Sequence, residues 1–424
     1  GVLQPNSATR AVPFDGARTS FTYLPQQAML SFDEISVRSK LGRIKAEGTA
    51  QLQGVDAGWP SALIGRFRLS DIALAKGTLF ERALDVSGAD MAFKLRLKPF
   101  RLSLGQLQVT DPDFPLSASG ELVARPNGWA ISLDALADRT DVQQVMSFWP
   151  KNFREKPRKW VSENVKAGTL RDAVFALRAE PQEKPGTYVD FRFEDGHSTY
   201  NRALAPITGA EGRISIYEGR LSTRLDGGVI DMGAHGVLQL AGSEFVIPNV
   251  KQKPATGVLD LQASGPVKAA FAYIDNDTWQ VLRKAGRSID VATGQAEVTG
   301  QVVLPLVKGT KFKDVSLDLT GVVRDVKSDR LVPDLVLEAD RLALQLDSRS
   351  VSLEGPVQLA GAEATARWEQ SLQGGGGSVD ATVTITNEAL KRLKITLPDG
   401  MVTGQGPAQL TMGLTKGKPP EFAV

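Results

Sequence analysis

Few residues in this chain are of types that could do chemistry, and their spacing argues against it. The two histidines, His197 and His235, stand alone in strand or turn surroundings, where an isolated histidine reads as structural rather than as a base or ligand. No cysteine occurs in the 424 residues, which removes disulfides, thiolate metal sites and thiol nucleophiles. There is no His-Glu-x-x-His helix, no Gly-x-Ser-x-Gly elbow and no phosphate-binding loop. The nearest approach to such a loop, Gly413 to Lys418, is too short and carries Pro419 where a hydroxyl is required. Asp275-Asn276-Asp277 opens like a calcium loop, but Gln280 replaces the required glycine and no glutamate closes it, so helix capping is the better account. Asp111-Pro112-Asp113 reads as a turn. The chain is expected to be no enzyme and to carry no cofactor or metal.

Charge excludes a further class. Fifty basic and 48 acidic residues leave a net charge of +2 with no long run of one sign, so no footprint for nucleic acid exists. No apolar stretch reaches the eighteen or so residues of a membrane-spanning helix. The chain begins at Gly1 without a signal-peptide pattern and is expected to be a portion of something longer. Its oligomeric state is left open.

What the sequence does contain is alternation. Leu95-Arg96-Leu97-Lys98, Phe191-Arg192-Phe193-Glu194 and Leu342-Ala343-Leu344-Gln345-Leu346-Asp347 are typical. Successive strand side chains point to opposite faces, so such runs build sheet with one apolar and one wetted face. The expected fold is mainly β, an elongated, curled antiparallel β-sheet groove with short helical inserts. Segments 1–137, 169–271 and 291–424 are expected to be groove, 138–168 and 272–290 helical inserts, with a last short helix near 387–394. Gly48, Gly54, Gly58, Gly77, Gly88, Gly105 and Gly120 read as turn signals, and Asn127-Gly128 as a type I′ hairpin turn.

In the first insert, Thr140 or Asp141 can cap a helix stopped by Pro150, and a second helix can start with Pro157 in its first turn and end at Gly168. Asp275 or Asp277 caps the second insert, with Trp279 and Leu282 on one face and Gly286 beyond its end. Gly374 to Gly377 suits a loose hairpin loop, because alternating runs flank it. Helix, turn and glycine-spaced strand recur at Trp160 to Leu177, Trp279 to Leu304 and Ala389 to Leu414, which suggests one architecture extended by accretion.

Two arrangements could cover the apolar face. In a β-sandwich, a second sheet covers it, giving a scaffold or interaction module. In an open groove, ligand covers it: at about 0.8 kcal/mol per methylene, a two-chain phospholipid resists crossing water by something on the order of 20 kcal/mol, a barrier that a continuous apolar trough removes. Candidate lining residues are Phe191, Phe193, Ile214, Ile216, Leu259, Leu261, Leu317, Leu319, Leu342, Leu344 and Leu346.

The inserts also carry a resemblance. Phe148-Trp149-Pro150, followed by Pro157-Arg158-Lys159-Trp160-Val161-Ser162-Glu163-Asn164-Val165 and Gly168-Thr169-Leu170, resembles the W-P … R-x-W-[LIV]-x-x-N-[LIV]-x-x-G signature of the AsmA-like family, in its YhdP branch. Gly294 to Leu306, with its Leu304-Pro305-Leu306 ending, is similar to a second stretch of that family. Arg367-Trp368, Gly374 to Gly377, Leu390 to Leu393 and Gly404 also fit, so the likeness covers about residues 140 to 415. It implies a bacterial envelope protein, anchored in the inner membrane by a helix absent from this chain, whose periplasmic β-groove conducts phospholipids towards the outer membrane. The expected partners are thus phospholipids and the two membranes. Of the signature residues Trp149, Pro150, Arg158, Trp160, Asn164 and Gly168, none suggests catalysis; Trp149, Pro150, Trp160 and Asn164 read as packing and capping groups that seat the insert on the sheet.

Overall fold

A computed structural model describes the chain except residues 56–57, 113–114, 202–203, 278, 285, 333, 374–375, 393–403, 415–420 and 424. Asp113, Gly374, Gly375, Leu393 and Thr415 to Pro419, singled out above, lie outside the described residues. The chain is mainly β, 63% strand and 12% helix. It divides into two units, the first Gly1–Ser198 with Glu211–Arg220, the second Thr199–Ala210 with Leu221–Val424.

In the first unit, strands from Gly16–Leu24 to Gly186–Ser198 form an antiparallel meander in which each long strand pairs with its neighbours in sequence. In the second, Thr256–Pro266, Thr293–Pro305, Ser316–Val332, Leu335–Asp347, Ser350–Leu359, Ala362–Ser371, Gly377–Ile385 and Gly406–Leu414 continue in the same style. Within each unit the strand contacts follow these ladders. Strands Ala362–Ser371 and Gly377–Ile385 pair with each other, Gln370 opposite Gly377.

Five α-helices interrupt the sheet among the described residues: α1 (Val142–Phe148), α2 (Glu155–Asn164), α3 (Val267–Ile274), α4 (Val281–Lys284) and α5 (Asn387–Arg392). Asp141 caps α1 in a reciprocal box: it accepts from the Gln144 amide at 2.8 Å, and the Gln144 side chain accepts from the Asp141 amide at 3.2 Å. Asp275 caps α4, accepting from the Leu282 and Arg283 amides at 2.8 and 3.0 Å.

Several expectations need correction. Helix α2 starts at Glu155, which puts Pro157 in its first turn, but it ends at Asn164; the next strand begins at once with Val165, so Gly168 lies inside a strand. Val267–Ile274 is helix, although the strand reading ran to Phe271; a short apolar run has no periodicity that separates the two. The hairpin near Asn127 turns on Pro126-Asn127, since Arg125 pairs with Gly128. Proline at the first central position cannot take the positive φ that a type I′ turn needs. Gly48, Gly105 and Gly120 are not turns but stand inside strands Gly42–Gln53, Phe100–Val109 and Ser117–Arg125.

Candidate functional site

Directly paired residues of an antiparallel ladder point to the same face, so the register decides which residues stand together. In the second unit Leu261, Gly300, Leu319, Leu346 and Val351 form one cross-strand row. The next row is Ala263, Val298, Gly321, Leu344, Leu353, Trp368, Val379 and Met412. Phe245, Leu259, Val302 and Leu317 make a third. The opposite face carries Gln262, Thr299, Thr320, Gln345, Ser352, Glu369 and Ser378 in line. Register thus gathers Leu259, Leu261, Leu317, Leu319, Leu342, Leu344 and Leu346 on one apolar face.

The first unit repeats this. One row crosses ten strands: Phe21, Phe32, Gly48, Phe67, Met91, Leu107, Ala118, Ala135, Phe175 and Val189. Phe191 and Phe193 alternate with Asp190 and so share the face of Val189. On the other face Arg213 donates to Asp190 at 2.7 Å, and the Tyr217 ring meets Tyr188 at 6.0 Å. Alternation then turns Ile214 and Ile216 to the side of Phe191 and Phe193. The aromatic stretch Phe21, Phe32, Phe67 and Phe93 escaped the sequence reading, although alternation such as Ala62 to Leu69 marked its strands.

Helices lie over part of each face. In the first unit, Phe153 from the segment between α1 and α2 meets Phe175 edge-on at 6.3 Å. Arg154 donates to the Pro185 carbonyl at 2.9 Å, and the Lys151 amide to the Leu79 carbonyl at 2.9 Å. Arg158, buried on α2, pairs with Glu81 at 2.8 Å and donates to the Trp149 carbonyl at 3.0 Å. The helical hairpin therefore rests on the apolar face and is tied to a loop that follows strand Ala62–Leu74. Trp149 and Pro150 are half-buried in it, and the Trp149 indole donates to the Phe153 carbonyl at 2.8 Å. Asn164 donates to the Trp160 carbonyl at 2.8 Å, closing the end of α2. Trp160 itself is 48% exposed and packs less than expected. Gly168 marks an irregularity in the pairing with strand Gly186–Ser198.

In the second unit α3 plays the covering part. Val267 clusters with Val323, Val326, Ala339, Leu342 and Val357, which leaves Leu342 buried rather than at an open surface. Leu319 is buried too, whereas Leu259, Leu261, Leu317, Leu344 and Leu346 keep partial exposure. Tyr273 of the same helix packs on a separate cluster of Ile230, Leu238, Leu240 and Ala269; its hydroxyl and that of Tyr200 share a hydrogen bond of 2.9 Å, and burial pushes both phenols above the ordinary tyrosine range.

Leu261, Val298, Leu344, Leu353 and Trp368 of the remaining rows keep partial exposure. Among the described residues no three His, Asp or Glu side chains stand together as a metal site, and no helix is long and apolar enough to cross a membrane. The histidines stand apart, His197 in strand Gly186–Ser198 and His235 in a short 3-10 turn.

A family profile described as YhdP protein matches residues 24–416. The chain belongs to the YhdP family. The match extends the resemblance seen at the helical inserts back through the first strands, so the same architecture governs nearly the whole chain. YhdP membership suggests a role in lipid transport and the bacterial envelope, in a family associated with transport rather than catalysis. No curated protein and no solved structure matches the chain.

Proposed function

We propose that this YhdP-family chain is a periplasmic segment of a bridge-like lipid-transfer protein, in which phospholipid acyl chains lie on the apolar sheet faces while passing between inner and outer membranes. One observation carries the reading: in each unit, cross-strand rows of Phe, Leu, Val and Met run over many strands, with a helical segment packed on part of them. Such a surface has no sequence-specific pocket, which suits a cargo of repeating methylenes. The hydrophilic opposite face keeps the sheet soluble while the apolar one is occupied.

Mass spectrometry of the gently purified chain should show co-purifying phospholipid, and delipidated protein should take up a fluorescent phospholipid. Lipid-free protein that takes up no label would refute the proposal and return the chain to the scaffold reading.

A further inference from the structure

On the outer, polar face of the first unit, cations mostly meet carboxylates across the strands. Arg43 pairs with Asp71 at 2.8 Å, Arg68 lies near Glu47 and Asp90, Arg178 pairs with Asp134 at 2.8 Å, and Arg192 pairs with Asp172. One corner departs from this. Arg66, Lys94, Arg96 and Lys98 have no ion pair or side-chain hydrogen bond among the described residues. Arg96 and Arg101 are direct cross-strand partners, a like-charge arrangement that weakens a ladder, and only Arg101 has a carboxylate nearby, Glu121 at 3.5 Å.

The same corner exposes an aromatic side chain. Trp59 is 78% exposed. The loop bearing Trp59 leads into Ala62, the cross-strand partner of Arg96, so indole and cations belong to neighbouring strand ends. Indole rings favour the headgroup level of a bilayer, and basic side chains are drawn to an anionic leaflet.

We infer that this corner of the first unit docks on a membrane surface containing anionic phospholipid. Trp59 enters the headgroup layer, while Arg66, Lys94, Arg96 and Lys98 face lipid phosphates. An acidic protein would satisfy the cations, but a headgroup layer offers phosphate together with apolar depth for an isolated indole. The inference is independent of whether lipid occupies the apolar sheet face.

The test is flotation of the intact chain with phosphatidylcholine vesicles that contain or lack phosphatidylglycerol. Binding should require phosphatidylglycerol, weaken with salt, and fall in the Arg96→Gln/Lys98→Gln variant by about fivefold per charge removed. A control pair of equal charge in the second unit, Lys311→Gln/Lys313→Gln, should bind like the parent. Quenching of tryptophan emission by brominated phosphatidylglycerol should drop in Trp59→Phe. No vesicle binding, equal binding without phosphatidylglycerol, or equal losses in both charge variants would overturn the inference. Uptake of labelled lipid by the Arg96→Gln/Lys98→Gln variant separates this outcome from the transfer proposal, because that uptake should be unchanged.

Discussion

The rings of Phe32 and Phe67 lie 5.4 Å apart, although a whole strand runs between theirs, because the residue between them is Gly48. With no side chain at Gly48, aromatic groups from alternate strands meet over it. The contacts extend to Phe21 at 5.7 Å on one side and Phe93 at 5.5 Å on the other. Pairs of this kind contribute about 0.5–1.5 kcal/mol each beyond their buried area.

Gly48→Ala should therefore be costly. An added Cβ would come 2.1 Å from the Arg66 carbonyl oxygen, which is backbone and cannot turn aside, and Gly48 has φ +154. Gly300 repeats the arrangement, with φ +138 and the Asp318 carbonyl oxygen at 2.1 Å. Each alanine variant should lose about 2–4 kcal/mol in denaturant unfolding, from overpacking and backbone strain together. A loss under a few tenths would contradict the close approach.

The apolar face can be probed by one register step. Leu346→Asp places a carboxylate beside Leu319 and Val351 and should reduce phospholipid uptake several-fold. Gln345→Asp, one residue away on the polar face, should leave uptake unchanged. Equal effects from both would argue against loading on this face.

The helical hairpin of the first unit should detach when its aromatic contact is removed. Phe153→Ala is expected to cost about 1–3 kcal/mol locally, read as faster amide exchange over 142–164 while the strand amides stay protected.

Arg158 and Glu81 are unequal partners. Arg158 is buried and holds backbone carbonyls as well as Glu81, so Arg158→Ala should cost about 2–4 kcal/mol by leaving acceptors unpaired. The Arg158 guanidinium holds the Glu81 carboxyl below the ordinary glutamate range, first through its hydrogen bond and then through its charge. A depressed folded-state pKa stabilises the fold above the unfolded pKa, and that contribution is lost as pH falls through the depressed value. Glu81 is 71% exposed, so solvent screens the pair and the acid-side slope should be slight. Glu81→Gln should remove this slope without the large loss of Arg158→Ala. An unchanged acid limb in Glu81→Gln would assign the slope to other groups.

Several features were legible because they are local. Asp141 and Asp275 were readable as caps because a short carboxylate beside a helical pattern satisfies free amides. Other features were not. Gly48 and Gly120 look like turn glycines until a facing strand shows what their missing Cβ admits. The buried place of Leu342 depends on α3 arriving from residues 267–274, and nothing near Leu342 announces it. Arg158 looks like any helical arginine, because its partner Glu81 is far away in sequence.

By itself, the sequence determined that this chain builds sheet with one apolar and one polar face, since period-two alternation admits little else. Tertiary structure decided which alternate set stands together, since pairing register lies between strands, not within them. It also decided how much of the apolar face the helices cover, which depends on packing between residues distant in the chain.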